Sequence, residues 1–465
     1  ELQLSGYENI PGGYTQEDFV RYCKLFDEAE LVDIIQIRAW SGDMTHASSY
    51  NCKKDYPTNL HFAELLKQER LHALVAPVGG FQDPDLIERF LAEGRTDLVA
   101  MGRAFICDPD YGKKLYEGRG EDVIACLRCD KCHSGICAVN PAIGIQPSLL
   151  NQDTPAQSAP KKVAVIGGGP AGLKAAAECA ALGHRVTLYE KESFLGGQAH
   201  HADFMPDKWC MMDYKNSLIH ACQKNGVQLL TGTAATPQMI LDGNYDAVIA
   251  ACGSEPKTGP VPGSTLPHVW KPFPVFGHEK ELGEHIVVIG GAMIAVDTAL
   301  YLCHTGHKVT LVTRNREVAY DNTSHSHFQF GEALEQEPNL TMIPRAQTLN
   351  ITPQAVTVEI TSGGVPDFAP PGMPGPKEPP MPETKEIREI PCDNVVFSAG
   401  RRPLVEECMA FAGLTPKFFI VGDANMLSGD PVQRHPGEVS KPKPNTTSHG
   451  IRHGVLTACA AARMI

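Results

Sequence analysis

The chain has 465 residues, 42% hydrophobic, with 43 glycines, enough for about two to four globular domains and too apolar for a disordered polymer. A formal net charge of -13 argues against a nucleic-acid partner, which would call for a basic stripe. No apolar run reaches the ~18–20 residues of a membrane span, and nothing at the N-terminus resembles a signal peptide. The fifteen cysteines therefore read as those of a reducing, cytoplasmic setting rather than a disulfide framework.

Residues 1–120 alternate strand-like and helix-like segments. ELQLS predicts a short strand, and Thr15 to Glu30 predicts a helix opened by a capping box of Thr15 and Asp18. Strands are expected at 32–39, 74–80 and 97–105, with helices near 58–69 and 83–93. Four strands of parallel-sheet character do not close a (β/α)8 TIM barrel, so the segment reads as its C-terminal half. A half barrel would expose two strand edges, which proteins avoid, and there is no initiator Met. The chain is thus expected to be a fragment of a longer protein. Gly79 and Gly80 end one strand, and Gly102 and Arg103 end the next. The loops after the last two strands of such barrels commonly bind phosphate, which makes these four candidate holders of an FMN phosphate.

Residues 121–160 are a cysteine segment and linker. Cys126, Cys129, Cys132 and Cys137 follow the pattern C-x2-C-x2-C-x4-C, and a Ser/Pro/Ala/Gln-rich stretch runs from Gln152 to Pro160. Three thiolates in one tight loop suit a [4Fe–4S] cluster, which carries electrons singly. Zinc would also accept four thiolates, with His133 adjacent, although structural zinc usually divides its ligands into two separated pairs. The other eleven cysteines are expected to be small buried hydrophobes.

From residue 161 the chain reads as two Rossmann-like units: an FAD domain at 161–280 and 391–465, and an NAD(P) domain at 281–390. In VAVIGGGPAG, Gly167, Gly169 and Gly172 fit G-x-G-x-x-G between a strand and a helix, where backbone amides approach a pyrophosphate. Glu190 ends the next strand, placed to hold ribose hydroxyls. In FIVGDAN, Gly422 precedes Asp423, which could accept a bond from a flavin ribityl hydroxyl. The second unit keeps Gly290 but has Ala292 and Ala295 at the later motif positions, and Ala292 adds a methyl where the pyrophosphate should pass. Arg314 and Arg316 stand at the end of the following strand in place of the usual acid. They read either as solvated surface charges or as partners for a 2′-phosphate, which favours NADPH over NADH. A Pro-rich insertion at 362–389 is expected to be a surface loop between strands rather than a polyproline docking segment.

These parts, in this order, resemble the iron–sulfur flavoenzymes related to old yellow enzyme, the family of 2,4-dienoyl-CoA reductase, 2-enoate reductase and trimethylamine dehydrogenase. PVGGFQDPDLIERFLAEGRTDLVAMGRAF, CLRCDKC, CAVNPAIG, VAVIGGGPAGL, SFLGGQ and FIVGDAN carry the likeness. The resemblance implies FMN in the barrel, one [4Fe–4S] cluster on the four cysteines, and FAD on the first dinucleotide domain with Gln198 among its contacts. It further implies NAD(P)H on the second domain. The family's spacing between the third and fourth cysteines is usually longer. Gln3 stands where the family has an arginine near the flavin pyrimidine, and His46 is the nearest counterpart of a substrate-protonating histidine. The expected activity is NAD(P)H-dependent reduction of a small-molecule substrate whose C=C bond is conjugated to a carbonyl. Two alternatives stand beside it: an amine dehydrogenase delivering electrons to a partner flavoprotein, and a non-catalytic electron-transfer fragment. Homo-oligomer formation is left open.

Overall fold

The computed structural model describes residues 1–8, 11–38, 54–55, 57–143, 159–257, 259–319, 334–364, 381–428 and 447–465. They divide into two compact units, Glu1–Gly253 with Pro403–Ile465, and Ser254–Thr323 with His327–Arg402.

The first unit opens with β1 (Leu2–Ser5), α1 (Gln16–Glu28), β2 (Ile34–Arg38), α2 (Leu60–Gln68), β3 (Leu74–Pro77) and α3 (Pro84–Ala92). The three strands form a parallel sheet in the order β1-β2-β3. Period-two alternation sends Ile35 and Ile37 into a core with Phe19 and Phe62 from the covering helices. The Thr15–Asp18 capping box is present and starts α1. The expected fourth strand, 97–105, is reduced to one bridge between Val78 and Ala100. The reason is local: Gly102 turns the chain into α4 (Arg103–Cys107), and a further short helix, α5 (Tyr111–Tyr116), follows.

The same unit then builds a dinucleotide fold from β4 (Lys162–Ile166), α6 (Pro170–Ala181), β5 (Arg185–Tyr189), α7 (Trp209–Lys224), β6 (Gln228–Leu230), α8 (Pro237–Asp242) and β7 (Ala247–Ala250). The returning β18 (Lys417–Ile420) adds to β7, giving a five-stranded parallel sheet ordered β18-β7-β4-β5-β6. Both faces of this sheet are covered. Its central strands are accordingly apolar throughout, with Val163, Ala164, Val165 and Ala247 to Ala250 fully buried. Helices α11 (Val405–Met409) and α12 (Thr447–Met464) complete the unit, and α12 packs along α6.

The second unit comprises β8 (Ser254–Pro256), β9 (Val269–Trp270), α9 (Pro272–Val275), β10 (His285–Ile289), α10 (Met293–His304), β11 (Lys308–Val312), β12 (Leu340–Ile343), β13 (Ala346–Ile351), β14 (Ala355–Gly364), β15 (Met381–Pro391), β16 (Asn394–Phe397) and β17 (Arg401–Pro403). Its parallel sheet runs β12-β11-β10-β16-β9, beside an antiparallel meander β13-β14-β15. Two sequence boundaries change here. The second domain was expected at 281–390, but β16 pairs between β10 and β9, which draws both 269–270 and 394–397 into this unit. The stretch 362–389 was expected to be loop, yet Met381–Pro391 is a strand paired with β14 from Ala355↔Pro391 to Gly364↔Met381. The register shift between Ser362 and Gly364 falls where Gly363 meets Pro382 and accommodates that proline.

Candidate flavin and iron–sulfur site

The first glycine loop forms a closed cradle. Gly167 lies in the left-handed region at φ +104, and its amide donates to the Tyr189 carbonyl at 2.8 Å. A Cβ on Gly172 would stand 1.9 Å from the Gly167 oxygen, so only glycine permits this approach of helix to strand. Gly169 caps α6, with Pro170 in its first turn, and aims the positive end of the helix at the loop. Glu190 is 6% exposed, and both its carboxylate oxygens are engaged. Oε2 accepts the Gly168 amide at 2.6 Å and Oε1 the Glu192 amide at 2.9 Å. The Glu190 carboxylate is therefore held in place by the glycine loop itself.

Two distant segments complete this cradle. In the SFLGGQ turn, the Gly196 amide donates to the Gly168 carbonyl at 2.8 Å, and a Cβ on Gly197 would come within 2.9 Å of the Gly169 Cα. Gln198 thus starts beside the glycine loop. Gly422, at φ +69, packs on Ala171 so closely that an added Cβ would lie 2.8 Å from the alanine Cβ. This puts the Gly422–Asp423 turn against the start of α6, where Gly454 of α12 also abuts Ala171. Gly167, Gly169, Gly172, Glu190, Gln198, Gly422 and Asp423 are brought to one place. At Gly167, Gly172, Gly197 and Gly422 the cradle leaves no room for a side chain, and it is rich in amides, which fits FAD.

The cysteine segment folds back on the same unit. Left-handed backbone at Arg128 (φ +50) and Asp130 (φ +55) curls the first three cysteines into a loop. Backbone amides point at the sulfurs, Arg128 at Cys126 Sγ and Asn140 at Cys137 Sγ, both at 3.4 Å. Four thiols carried by one short, tightly curled segment are a donor set that fits a [4Fe–4S] cluster. Burial pushes the Cys129 thiol up to about 12, while the Cys107 thiol beside Cys137 pulls the latter down to about 6.

Cys107 is buried like most of the other cysteines, but it is more than a filler. Its thiol touches the Ile124 carbonyl at 3.4 Å as well as Cys137. Two arginines also face the segment. Arg128 is 3% exposed, bonded through Nε to Gln82 at 3.0 Å and lying over the Trp209 ring. Arg452 of α12 donates to the Cys137 carbonyl. The sequence offered no signal for Arg452, which is 315 residues from its partner.

At the half barrel, Gly79 (φ +118) and Gly80 (φ +94) end β3 in conformations that favour glycine. Gly102 has open space at its Cα. Arg103, expected at a phosphate, forms an ion pair with Asp130 of the cysteine loop at 2.5 Å. Gln3 is exposed and bonded to Gln36 across the β1–β2 register. His46 lies outside the described residues.

In the second unit, Gly290 stands at φ +148, its amide donating to the Val312 carbonyl at 2.9 Å. This repeats the Gly167–Tyr189 bond and fixes the correspondence: Thr313, not Arg314, occupies the place of Glu190. A Cβ on Gly291 would strike Thr313 Oγ1 at 2.1 Å. Arg314 and Arg316 follow one and three residues later, both exposed. The sequence assigned both arginines to the acid's place, whereas strand registration puts Arg314 one and Arg316 three residues beyond it.

The model of the pyridine nucleotide-disulphide oxidoreductase family matches residues 161–454, well over half of the chain, and that of the NADH:flavin oxidoreductase / NADH oxidase family matches residues 8–122. The chain belongs to the pyridine nucleotide-disulphide oxidoreductase family. It carries an FMN-oxidoreductase segment before that domain, the pairing expected of the 2,4-dienoyl-CoA reductase-like flavoenzymes. The chain is 29% identical to a bilirubin reductase of Mediterraneibacter gnavus over 90% of the chain and 62% of the relative. It is 32% identical to an NADH oxidase of Thermoanaerobacter brockii over 70% of the chain and 52% of the relative. The chain therefore spans about half to three-fifths of those proteins. A solved 2-naphthoyl-CoA reductase shares the fold, with TM-score 0.80 and 23% identity over 100% of this chain and 64% of that one.

Proposed function

We propose that this protein is an NAD(P)H-dependent oxidoreductase for a carbon–carbon double bond conjugated to a carbonyl, with FAD, a [4Fe–4S] cluster and FMN supplying the change from paired to single electrons and back. The observation that carries the reading is the shared core of the thiol turn and the flavin helix. Cys137, Ala138 and Val139 are buried in the same apolar core as Leu173, Ala176 and Ala177 of α6. Packing of this kind holds electron carriers at a fixed separation, which is the protein's part in such chemistry.

The chain's own residues divide the remaining work. Glu190 and Asp423 hold sugar and ribityl hydroxyls, and Gly167, Gly169 and Gly172 admit the pyrophosphate. Gln198 adds a contact from the opposite side of that loop. Cys126, Cys129, Cys132 and Cys137 ligate the cluster. Gly79, Gly80, Gly102 and Arg103 serve the FMN phosphate, with Arg103 shared between it and Asp130. Gly290 admits the nicotinamide dinucleotide, and Arg314 and Arg316 favour a 2′-phosphate because neutral Thr313 stands where a carboxylate would repel it. His46 is the proposed proton donor to substrate. The relatives named as a reductase and an NADH oxidase support electron flow from nucleotide to substrate.

The test is anaerobic mixing of the flavin-loaded protein with NADPH and, separately, NADH, while flavin absorbance is followed. Rapid bleaching, faster with NADPH, is the expected result. Bound FAD with no bleaching by either nucleotide would sink the reductive reading. The amine dehydrogenase reading would then lead, since the Ala292 methyl at the phosphate approach already favours a closed nucleotide loop.

A further inference from the structure

One arginine grips both ends of the turn that carries the fourth cysteine. Arg452, in the first half of α12, donates from Nη1 to the carbonyl of Cys137, and its Nη2 approaches the carbonyl of Ile143 at 3.5 Å. Asn140, between those ends, braces the turn from within. Its amide points at Cys137 Sγ, its Nδ2 donates to Ile106 at 2.8 Å, and its Oδ1 accepts from Ala142 at 3.0 Å. Arg452 is only 2% exposed. An anionic cluster would place a negative charge beside this buried guanidinium.

The same helix serves the flavin cradle. Two residues on, Gly454 packs against Ala171 at the start of α6. Thr457 Oγ1 accepts the Gly422 amide at 3.1 Å, next to Asp423. A single rigid element thus touches the turn of the fourth thiol and the wall of the FAD site.

We infer that Arg452 is a positioning residue that fixes Cys137 as the fourth cluster ligand and keeps a buried positive charge beside it, raising the cluster's reduction potential. The inference rests on the cluster reading above. A cube held by four thiolates is anionic and becomes more so on reduction, so a nearby cation in a low-dielectric setting stabilises the reduced form more than the oxidised one. Arginine suits the task because its planar fork reaches two carbonyls at once and cannot lose its proton.

The intact protein is purified anaerobically as wild type, Arg452→Gln and Arg452→Lys. Iron, acid-labile sulfide and FAD are counted, and a redox titration is followed by EPR. The Gln variant is expected to lose iron while keeping FAD. Where iron remains, its cluster should be at least about tenfold less reduced at a fixed poise, which is 59 mV for a one-electron couple. The Lys variant should stay within about threefold of wild type. Wild-type iron content and potential in the Gln variant would overturn the inference, and so would a Lys variant shifted by tenfold. Should the Gln variant lose FAD as well and fail to fold, the Lys variant alone decides by the same threshold. Wild-type protein without iron would overturn the cluster reading itself, and this inference with it.

Discussion

Single residues in the cradle are under steric rather than chemical constraint. Gly172→Ala would put a methyl carbon 1.9 Å from the Gly167 oxygen, a contact relieved only by moving α6 away from β4. The expected outcome is a loss of about 3 kcal/mol of stability, the scale of severe overpacking, and protein that purifies without stoichiometric FAD. Thermal unfolding and flavin content measure both, and an FAD-replete variant of wild-type Tm would refute the close approach. Asp122 carries a charge constraint instead. Burial raises its pKa, but Lys224, Arg119 and His220 outweigh that and hold the carboxyl below the usual carboxylate range. Its folded value is depressed, so its stabilisation is present above the unfolded carboxylate value and is lost as pH falls through the folded one. Between pH 5 and pH 3, the wild-type Tm should therefore fall further than that of Asp122→Asn. Parallel falls in the two proteins would mean the carboxylate bears no such load.

At the scale of elements, the two glycine loops show how one pattern gives two capacities. Both loops hang from the same strand-to-strand bond, Gly167 to Tyr189 and Gly290 to Val312. In the first, a buried carboxylate braces the loop. In the second, Thr313 fills that place, and the charge of Arg314 lies one residue beyond it, in solvent. Arg314→Gln is expected to weaken NADPH by about tenfold, near 1.4 kcal/mol, and NADH by much less. Equal losses for both nucleotides, measured as KM in flavin reduction, would place the guanidinium away from the 2′-phosphate. The glycine spacing, the strand before it and the helix after it were legible because each is local and periodic. Which residue faced the loop was not, since a shift of one position along a strand reverses its facing and only pairing with β10 settles it.

For the whole molecule, the question is how independent the cluster and the flavin are. The thiol turn and α6 share one apolar core, yet no cysteine ligand belongs to the glycine loop, the Glu190 strand or the Gly422–Asp423 turn. Cys129→Ala is therefore expected to lose the cluster's iron and keep one FAD per chain. Iron analysis and flavin extraction check this, and loss of FAD in proportion to iron would mean that the two sites fold as one. The division into units follows the same physical logic. Strand β16 enters the second sheet because its edges are needed by both β10 and β9, although its sequence reads equally well as part of the first.

The sequence alone determined the order of the parts, the two glycine loops, the four thiols and the capping box of α1, each read from neighbouring residues along the chain. Only the tertiary structure decided the end of the second unit, the strand inside the Pro-rich insertion and the pairing of Arg103 with Asp130. It also decided the grip of Arg452 on a turn over three hundred residues away. The reason is common to all of these. Spacing records what a residue does to its own turn of chain, whereas a partner brought in by packing leaves no mark until the core that unites them has formed.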